Sequence, residues 1–331
     1  MFTRLRSLPF AVVLTMVLRK SVKSLQCIVN ETMHGLCLEE VTASAYSQAR
    51  YKLKHTAFIE LNQKAIIDVL YQDEDFKKFW GKRILAIDGS KIRLPNTQEI
   101  CDTFGTIAYS QGLDSDVQGE HPYALGSVLF DVLNRVAIDA TLAPANAYEV
   151  DLAIAHLAHT QRDDLLLMDR NYPSYRMLAM LRKTERDFAI RCSASSFSVA
   201  RRMLKGDGTD SQIVTLTPCA EQMPMIRAFG LPETLTVRFV RVLLSTGEFE
   251  VMVTSLLDEA GYPSDDFLTL YGLRWGIETF YGLIKTRLTL ENFTGLGVEA
   301  VKQDFYATLY LSGLESILTD TAQAILDAKE T

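Results

Sequence analysis

Cysteine pairs, long apolar runs and excess positive charge are the features this sequence lacks. Its five cysteines, Cys27, Cys37, Cys101, Cys192 and Cys219, stand far apart, with no CxxC pair and no histidine at finger spacing. That excludes a disulfide-stapled scaffold and a structural zinc site, and it points to a reducing, cytoplasmic compartment. The apolar stretch Leu8 to Leu18 follows Arg4 and Arg6 as a signal peptide would, but Arg19, Lys20 and Lys23 come directly after it with no small-residue cleavage site. About eleven residues are also too few for a bilayer, which needs roughly 20. The stretch predicts a buried N-terminal helix, and no membrane partner. Nine prolines in 331 residues, no repeats and no low-complexity tracts argue against an extended or disordered chain, and 48% apolar content suffices for a sizeable core in two or three domains.

A net charge of −7 runs against a chain coated throughout in phosphate-binding residues. The distribution softens the objection. Residues 1 to 54 hold eight Lys/Arg against three Asp/Glu, and residues 170 to 205 hold nine against two. Each stretch, taken alone, also fits an ordinary solvated helix face.

Residues 1 to 80 have no proline after Pro9, only Gly35, and apolar positions at helical spacing, as in Phe58-Ile59-Leu61-Ile66-Ile67-Leu70. They predict an all-helical N-terminal region, with Thr42 or Ser44 capping a helix from Ala45 to Leu61. From Arg83 the pattern changes. Ile84 to Ile87 reads as a buried strand stopped by Asp88-Gly89-Ser90, and a polar loop over 101 to 122 contains Asp114 and Asp116, read as solvated. Strands follow at Tyr123 to Val132 and Val136 to Leu142, then a helix from Ala147 to His159. The buried strand Leu165 to Met168 ends at Asp169, and Tyr175 to Thr184 reads as helix. Strand, strand, strand, helix, strand, helix is the opening order of a ribonuclease-H-like α/β domain. Residues 187 to 256 carry four more strand-like runs and read as a β-rich insertion, after which Ser264 is placed to cap a long helix. The expected units are therefore 1–80 (helical, DNA-binding), 81–186 (first part of the core), 187–256 (insertion) and 257–331 (C-terminal core helices).

Chemistry concentrates in Tyr271 to Lys285. At about 100° per residue, Tyr271, Arg274, Glu278 and Lys285 fall within an arc of roughly 60° on one helix face, opposite Leu273, Ile277, Phe280 and Ile284. Arg274 and Glu278 could also be no more than an i, i+4 helix pair, worth about 0.3 to 0.5 kcal/mol. A third acid on a helix after two acids on strand ends, Asp88 and Asp169, is however the arrangement that holds two divalent cations for phosphodiester displacement. Arg274 and Lys285 would then meet backbone phosphates, with little effect on melting when removed. His121, His156 and His159 lack a ligand pattern and take a structural reading, as do Met177 and Met180.

The Tyr-x2-Arg-x3-Glu-x6-Lys spacing of these residues resembles the signature of the bacterial insertion-sequence-four family of DDE transposases. Leu85-Ala86-Ile87-Asp88-Gly89-Ser90 is similar to that family's first aspartate motif, and Leu167 to Ser174 to its second. Glu291 to Gly295 and Gln303 to Ala307 also look familial. The resemblance implies a ribonuclease-H-like core with a β insertion, and metal-dependent cleavage and strand transfer at transposon ends, in some members through a DNA hairpin. It implies Mg²⁺ or Mn²⁺, two ions, on Asp88, Asp169 and Glu278, with Tyr271, Arg274 and Lys285 on the terminal phosphates. The implied partners are double-stranded DNA, as terminal inverted repeats and target, and a second copy of the chain on paired ends. The implied location is the bacterial cytoplasm, at the nucleoid. The tryptophans, Trp80 and Trp275, lie outside 187 to 256, so a hairpin step would need Phe197, Phe229, Phe239 or Phe249 to stack on a flipped base. The chain ends soon after Lys285, which keeps open a shortened, transposase-derived regulator or inhibitor. Another ribonuclease-H-like nuclease would share the three acids without needing the whole stripe.

Overall fold

The computed structural model describes residues 8–19, 23–110 and 118–330, with side chains for all of these except 109, 110, 118 and 321–330. Arg4, Arg6, Lys20, Asp114 and Asp116 lie outside that range. The N-terminal helices are α1 (Phe10–Leu18), α2 (Leu25–Gly35), α3 (Ala43–Arg50) and α4 (Thr56–Asn62), then a π-helical stretch Gln63–Ile67 and α5 (Asp68–Leu70). Val13, Val17, Val29, Met33, Tyr46 and Phe58 form their common core. Thr42 caps α3 by accepting from the Ala45 amide. The single helix expected over 45 to 61 is instead broken after Arg50, whose side chain turns inward to partners on the far C-terminal helix.

The sheet is built around β1 (Arg83–Arg93), flanked by α6 (Gln98–Phe104), β2 (Thr106–Ser110), β3 (Gln118–Asp131) and β4 (Val136–Pro144). After α7 (Glu149–His156) come β5 (Asp164–Met168), α8 (Tyr175–Lys183) and β6 (Asp187–Cys192). Then follow α9 (Ser198–Leu204), β7 (Ser211–Leu216), α10 (Met223–Ala228), β8 (Leu235–Leu243) and β9 (Phe249–Thr254). The chain finishes with α11 (Asp266–Gly272), α12 (Trp275–Thr286) and α13 (Val298–Glu330). Among the described residues the sheet has nine strands in the order β2-β3-β1-β5-β6-β9-β8-β7, with β4 also on β3. β3 runs antiparallel to both β1 and β4, while β5 and β6 run parallel to β1. That mixed α/β order is the ribonuclease-H-like core.

One expectation is corrected by the strand pairing. Asp88 does not end a strand: β1 continues to Arg93 because β3 pairs with it residue by residue from Leu85↔Asp131 to Arg93↔Tyr123. The β-rich stretch over 187–256 joins the same sheet. β6 pairs with β5, and β9, β8 and β7 add to it in turn, so this region lengthens the central sheet.

Alternation along β1 sorts the helices into two layers. Leu85 and Ile87 face the layer of α7 and α8, with Val150, Met177 and Leu178. Ile84 and Ala86 face α11 to α13, with Phe267, Ile277, Ile284 and Phe305. The histidine reading is fulfilled in part by His156, buried at 0% exposure between Asp139 Oδ2 (2.6 Å) and Ser127 Oγ (3.0 Å). The trio has the residue types of a hydrolytic triad, but Ser127 is only 1% exposed, out of a substrate's reach. Its effect is to pin α7 onto β3 and β4. Among the described residues no helix is long and apolar enough to cross a membrane.

Candidate active site

The two aspartates meet because of strand register. β1 and β5 pair in parallel as far as Ala86↔Leu167. Two residues further on in each chain stand Asp88 and Asp169, level with one another where the parallel pairing ends. In a mixed α/β sheet that carboxyl end is where the crevice opens. Asp169 follows β5 in a tight turn, its Oδ1 accepting from the Asn171 amide at 2.8 Å. Asp88 Oδ1 accepts from the Gly89 amide at 2.9 Å.

The field at Asp88 is negative and dry. Burial pushes its carboxyl up to about 6, the Gly89 N–H and Arg274 oppose this, and Asp169 and Glu149 add to it. Glu149, in the first turn of α7, is likewise held above the usual value by burial and by Asp169, against Lys91. Sequence reading passed over Glu149, because an acid in the first turn of a helix is commonplace.

The Tyr-Arg-Glu-Lys residues reach the same place from the other helix layer, but not as one solvent-facing stripe. The helix is broken between α11 and α12, with Tyr271 on the first, Arg274 at the joint, and Glu278 and Lys285 on the second. Ser264, expected as its cap, instead accepts from Arg238 Nη2 at 2.9 Å, and α11 starts without a side-chain cap. Tyr271 and Arg274 are buried, at 3% and 4% exposure, whereas the Glu278 side chain is 40% exposed. Arg274 Nη2 donates to Glu278 Oε1 at 2.6 Å, so the helix pair considered as an alternative does form. Arg274 Nε and Tyr271 Oη, both buried, have no hydrogen-bond partner among the described residues. Burial pushes the Tyr271 hydroxyl up to about 12. Lys285 is tied to β1, donating to Ser90 Oγ at 2.7 Å and to the Lys91 carbonyl at 2.6 Å. Tyr281, one turn before it, donates to the carbonyls of Asp88 (3.0 Å) and Gly126 (2.7 Å). α12 is thereby laced to the strand that carries the first aspartate.

The side chains that sequence reading grouped are therefore brought to one end of the sheet, with a difference in detail. Glu278 is engaged with Arg274, and the acids that act on Asp88 are Asp169 and Glu149. Among the described residues no three His, Cys, Asp or Glu side chains stand close enough to hold a metal ion as they are.

Comparison with known proteins bears on this geometry. The chain is 26% identical over 278 residues to the transposase InsG for insertion sequence element IS4 of Escherichia coli K12, a match covering 81% of this chain and 59% of that protein, so the chain spans about three fifths of that relative's length. Among solved structures it overlaps a piggyBac transposase synaptic complex with hairpin DNA (TM-score 0.40, 10% identity, 92% of this chain and 65% of that one). It also overlaps a pre-cleavage Mos1 transpososome (TM-score 0.23, 11% identity, 86% and 80%). The fold assignment rests on the strand order and not on these overlaps. The family model described as a transposase DDE domain matches residues 79–312, which is 234 of the 331 residues, and the chain belongs to that family.

Proposed function

We propose that this chain is the transposase of an insertion sequence, cleaving DNA at transposon ends and transferring the freed strand in a cut-and-paste reaction. The reading is supported by Asp88 and Asp169 standing just past the parallel pairing of β1 and β5, with Arg274, which is bonded to Glu278, acting on Asp88 from the other helix layer; the three acids lie 81 and 109 residues apart in sequence. Among the described residues neither aspartate is ion-paired, and burial pushes the Asp88 carboxyl up to about 6. An all-carboxylate set of this kind suits a hard divalent cation, Mg²⁺ or Mn²⁺. Asp88, Asp169 and Glu278 would hold it, in two ions. The chemistry supplied when bound is activation of the attacking oxygen and stabilisation of the leaving one.

The orphaned Arg274 Nε and Tyr271 Oη support a phosphate as the missing partner. A guanidinium grips a phosphate through two parallel N–H groups. On Arg274 the edge carrying the free Nε also carries Nη2, which Glu278 now occupies. A DNA phosphate taking that edge would displace Glu278 and free its carboxylate to turn toward the aspartates. Lys285, held by Ser90 and Lys91, orients α12 against β1 and lends its charge to the same phosphate. The partners are duplex DNA, as terminal inverted repeats and target, and a second copy of the chain on paired ends.

The test is cleavage of a duplex carrying terminal inverted repeats in Mg²⁺ or Mn²⁺. Asp88→Ala, Asp169→Ala and Glu278→Ala should each abolish cutting while DNA binding persists; cutting by any of them would remove that residue from the assignment. Single-end binding by the parent chain with no strand-transfer product would favour the regulator reading instead.

A further inference from the structure

We propose that Glu149 is a fourth carboxylate of the divalent-cation site, reaching Asp88 and Asp169 from the first turn of α7. The inference rests on the proposed metal-dependent function and adds a residue that the Asp-Asp-Glu assignment leaves out.

Glu149 stands over Gly89: a Cβ built on that glycine would lie 3.2 Å from Glu149 Oε1 and 3.1 Å from Leu125 Cδ1. The carboxylate therefore packs against the residue adjoining Asp88, in space that any side chain at 89 would contest. Its charge is felt by Asp88, and Asp169 in turn acts on it. The opposite helix layer from Glu278 thus delivers an acid to the same end of the sheet. Glu149 is half-buried, and no hydrogen bond or ion pair to it is found among the described residues.

Tyr172 provides an independent sign of something missing. Its hydroxyl is fully buried and has no hydrogen-bond partner among the described residues. Its amide bonds the Asp169 carbonyl at 3.3 Å, and the charged groups acting on its hydroxyl are Asp88, Glu149, Asp169 and Arg274, so it stands beside the same cluster. A hydrated cation would resolve both deficits, since Mg²⁺ keeps several of its waters and a tyrosine hydroxyl can bond one of them.

A first-turn acid also favours the helix dipole, by about 0.3 to 1 kcal/mol. That benefit is indifferent to direction and does not call for a carboxylate set beside two others. The support of α7 is also unusually firm: Val150 and Ala153 are buried, His156 is clamped by Asp139 and Ser127, and Asp151 pairs with Arg176 at 2.7 Å. Rigid backing of this kind is what a ligand-bearing helix needs. As they stand the carboxylates are spaced as like charges, so side-chain rotation must bring them onto the ion.

With Glu278 latched to Arg274, the acids that a cation meets in the DNA-free chain are Asp88, Asp169 and Glu149. The experiment is Mn²⁺ binding to the purified full chain without DNA, read from the free-ion electron paramagnetic resonance signal. Glu149→Gln should weaken binding about tenfold or more, and Glu149→Asp by less. Asp88→Asn and Asp169→Asn test the underlying reading, and Asp151→Asn controls for the helix dipole. If the aspartate variants lose affinity while Glu149→Gln binds as the parent does, Glu149 is not a ligand and the inference falls alone. If the aspartate variants bind as the parent does, the proposed metal site fails and the inference with it. Equal losses in Asp151→Asn and Glu149→Gln would reduce Glu149 to a helix-end acid. Because unfolding would mimic a loss, the Mn²⁺-induced rise in melting temperature is measured as well, and it should shrink in Glu149→Gln.

Discussion

Two buried arginines show how differently this chain treats the same side chain. Arg50, at the end of α3, is saturated: Nε donates to Gln303 Oε1 (2.7 Å), Nη1 to Thr294 Oγ1 (2.6 Å), and Nη2 to the Ala300 carbonyl (3.1 Å) and Asp304 Oδ1 (2.8 Å). Asp304 is itself satisfied by the Thr294 amide and hydroxyl. Arg274, equally buried, has Glu278 on one nitrogen and nothing on Nε. A network that closes on itself locks the N-terminal helices to α13. One left open is poised for a ligand. Thr294, Gln303 and Asp304 belong to the first kind, and Tyr271, Arg274 and Glu278 to the second.

The largest effect that can break this contrast is on stability at the closed network. Asp304→Ala leaves Arg50 charged, buried and uncompensated, which costs about 3 to 5 kcal/mol. Arg274→Ala removes one hydrogen bond to a half-exposed acid and one orphaned donor, so roughly 1 kcal/mol is expected. Urea denaturation of both variants measures this, with DNA cleavage as the counterpart: Arg274→Ala should lose at least a hundredfold in cutting while remaining folded. Equal destabilisation by the two would erase the distinction.

Lys285 is a case between the two, and here the structure changes what the sequence implied. A lysine on an exposed helix face should hardly affect melting, but this one bonds Ser90 and Lys91 and holds α12 to β1. Lys285→Met should therefore cost about 1 to 2 kcal/mol as well as slowing cleavage. A melting curve superimposable on the parent's would restore the purely phosphate-binding role.

Most of the secondary structure was legible because apolar periodicity and turn residues are local. The strands at 84–87, 123–132, 136–142 and 165–168 and the helix after Ser174 all appear, although the first runs on to Arg93 and the second starts at Gln118. What a single sequence could not give was what stands opposite each residue. Asp88-Gly89-Ser90 has the composition of a turn, yet β3 pairs straight through it. A helical wheel placed Tyr271, Arg274 and Glu278 on one arc, but it could not show that the helix breaks at Arg274 or that Tyr271 and Arg274 are buried while Glu278 is not. Ser264 has the chemistry of a cap, and Arg238 claims it. Glu149 was invisible because its meaning comes only from Gly89 and Asp169, which lie 60 residues before and 20 after it.

A smaller effect follows from the titration of Asp88. Its carboxyl ionises near 6 in the folded chain against about 3.9 in an unfolded one. The folded state binds the proton more tightly, so this group's contribution is full below pH about 4 and is lost as pH rises through 6. In chelator, Asp88→Asn should melt a few degrees above the parent at pH 7.5 and together with it near pH 4. Added Mg²⁺ should narrow the gap at pH 7.5. A gap of the same size at both pH values would contradict the buried, uncompensated charge on which the site is built.

The central claim, that one cation site is assembled from distant segments, is tested most directly by replacing Mg²⁺ with Fe²⁺ and generating hydroxyl radicals with ascorbate and peroxide. Radicals cut the backbone only close to the bound iron. The account predicts that cuts cluster around residues 88, 149 and 169 in the free chain, that cuts around 278 join them when inverted-repeat DNA is bound, and that excess Mg²⁺ suppresses all of them. Cleavage confined to other segments, or cuts at 88 without cuts at 169, would contradict it.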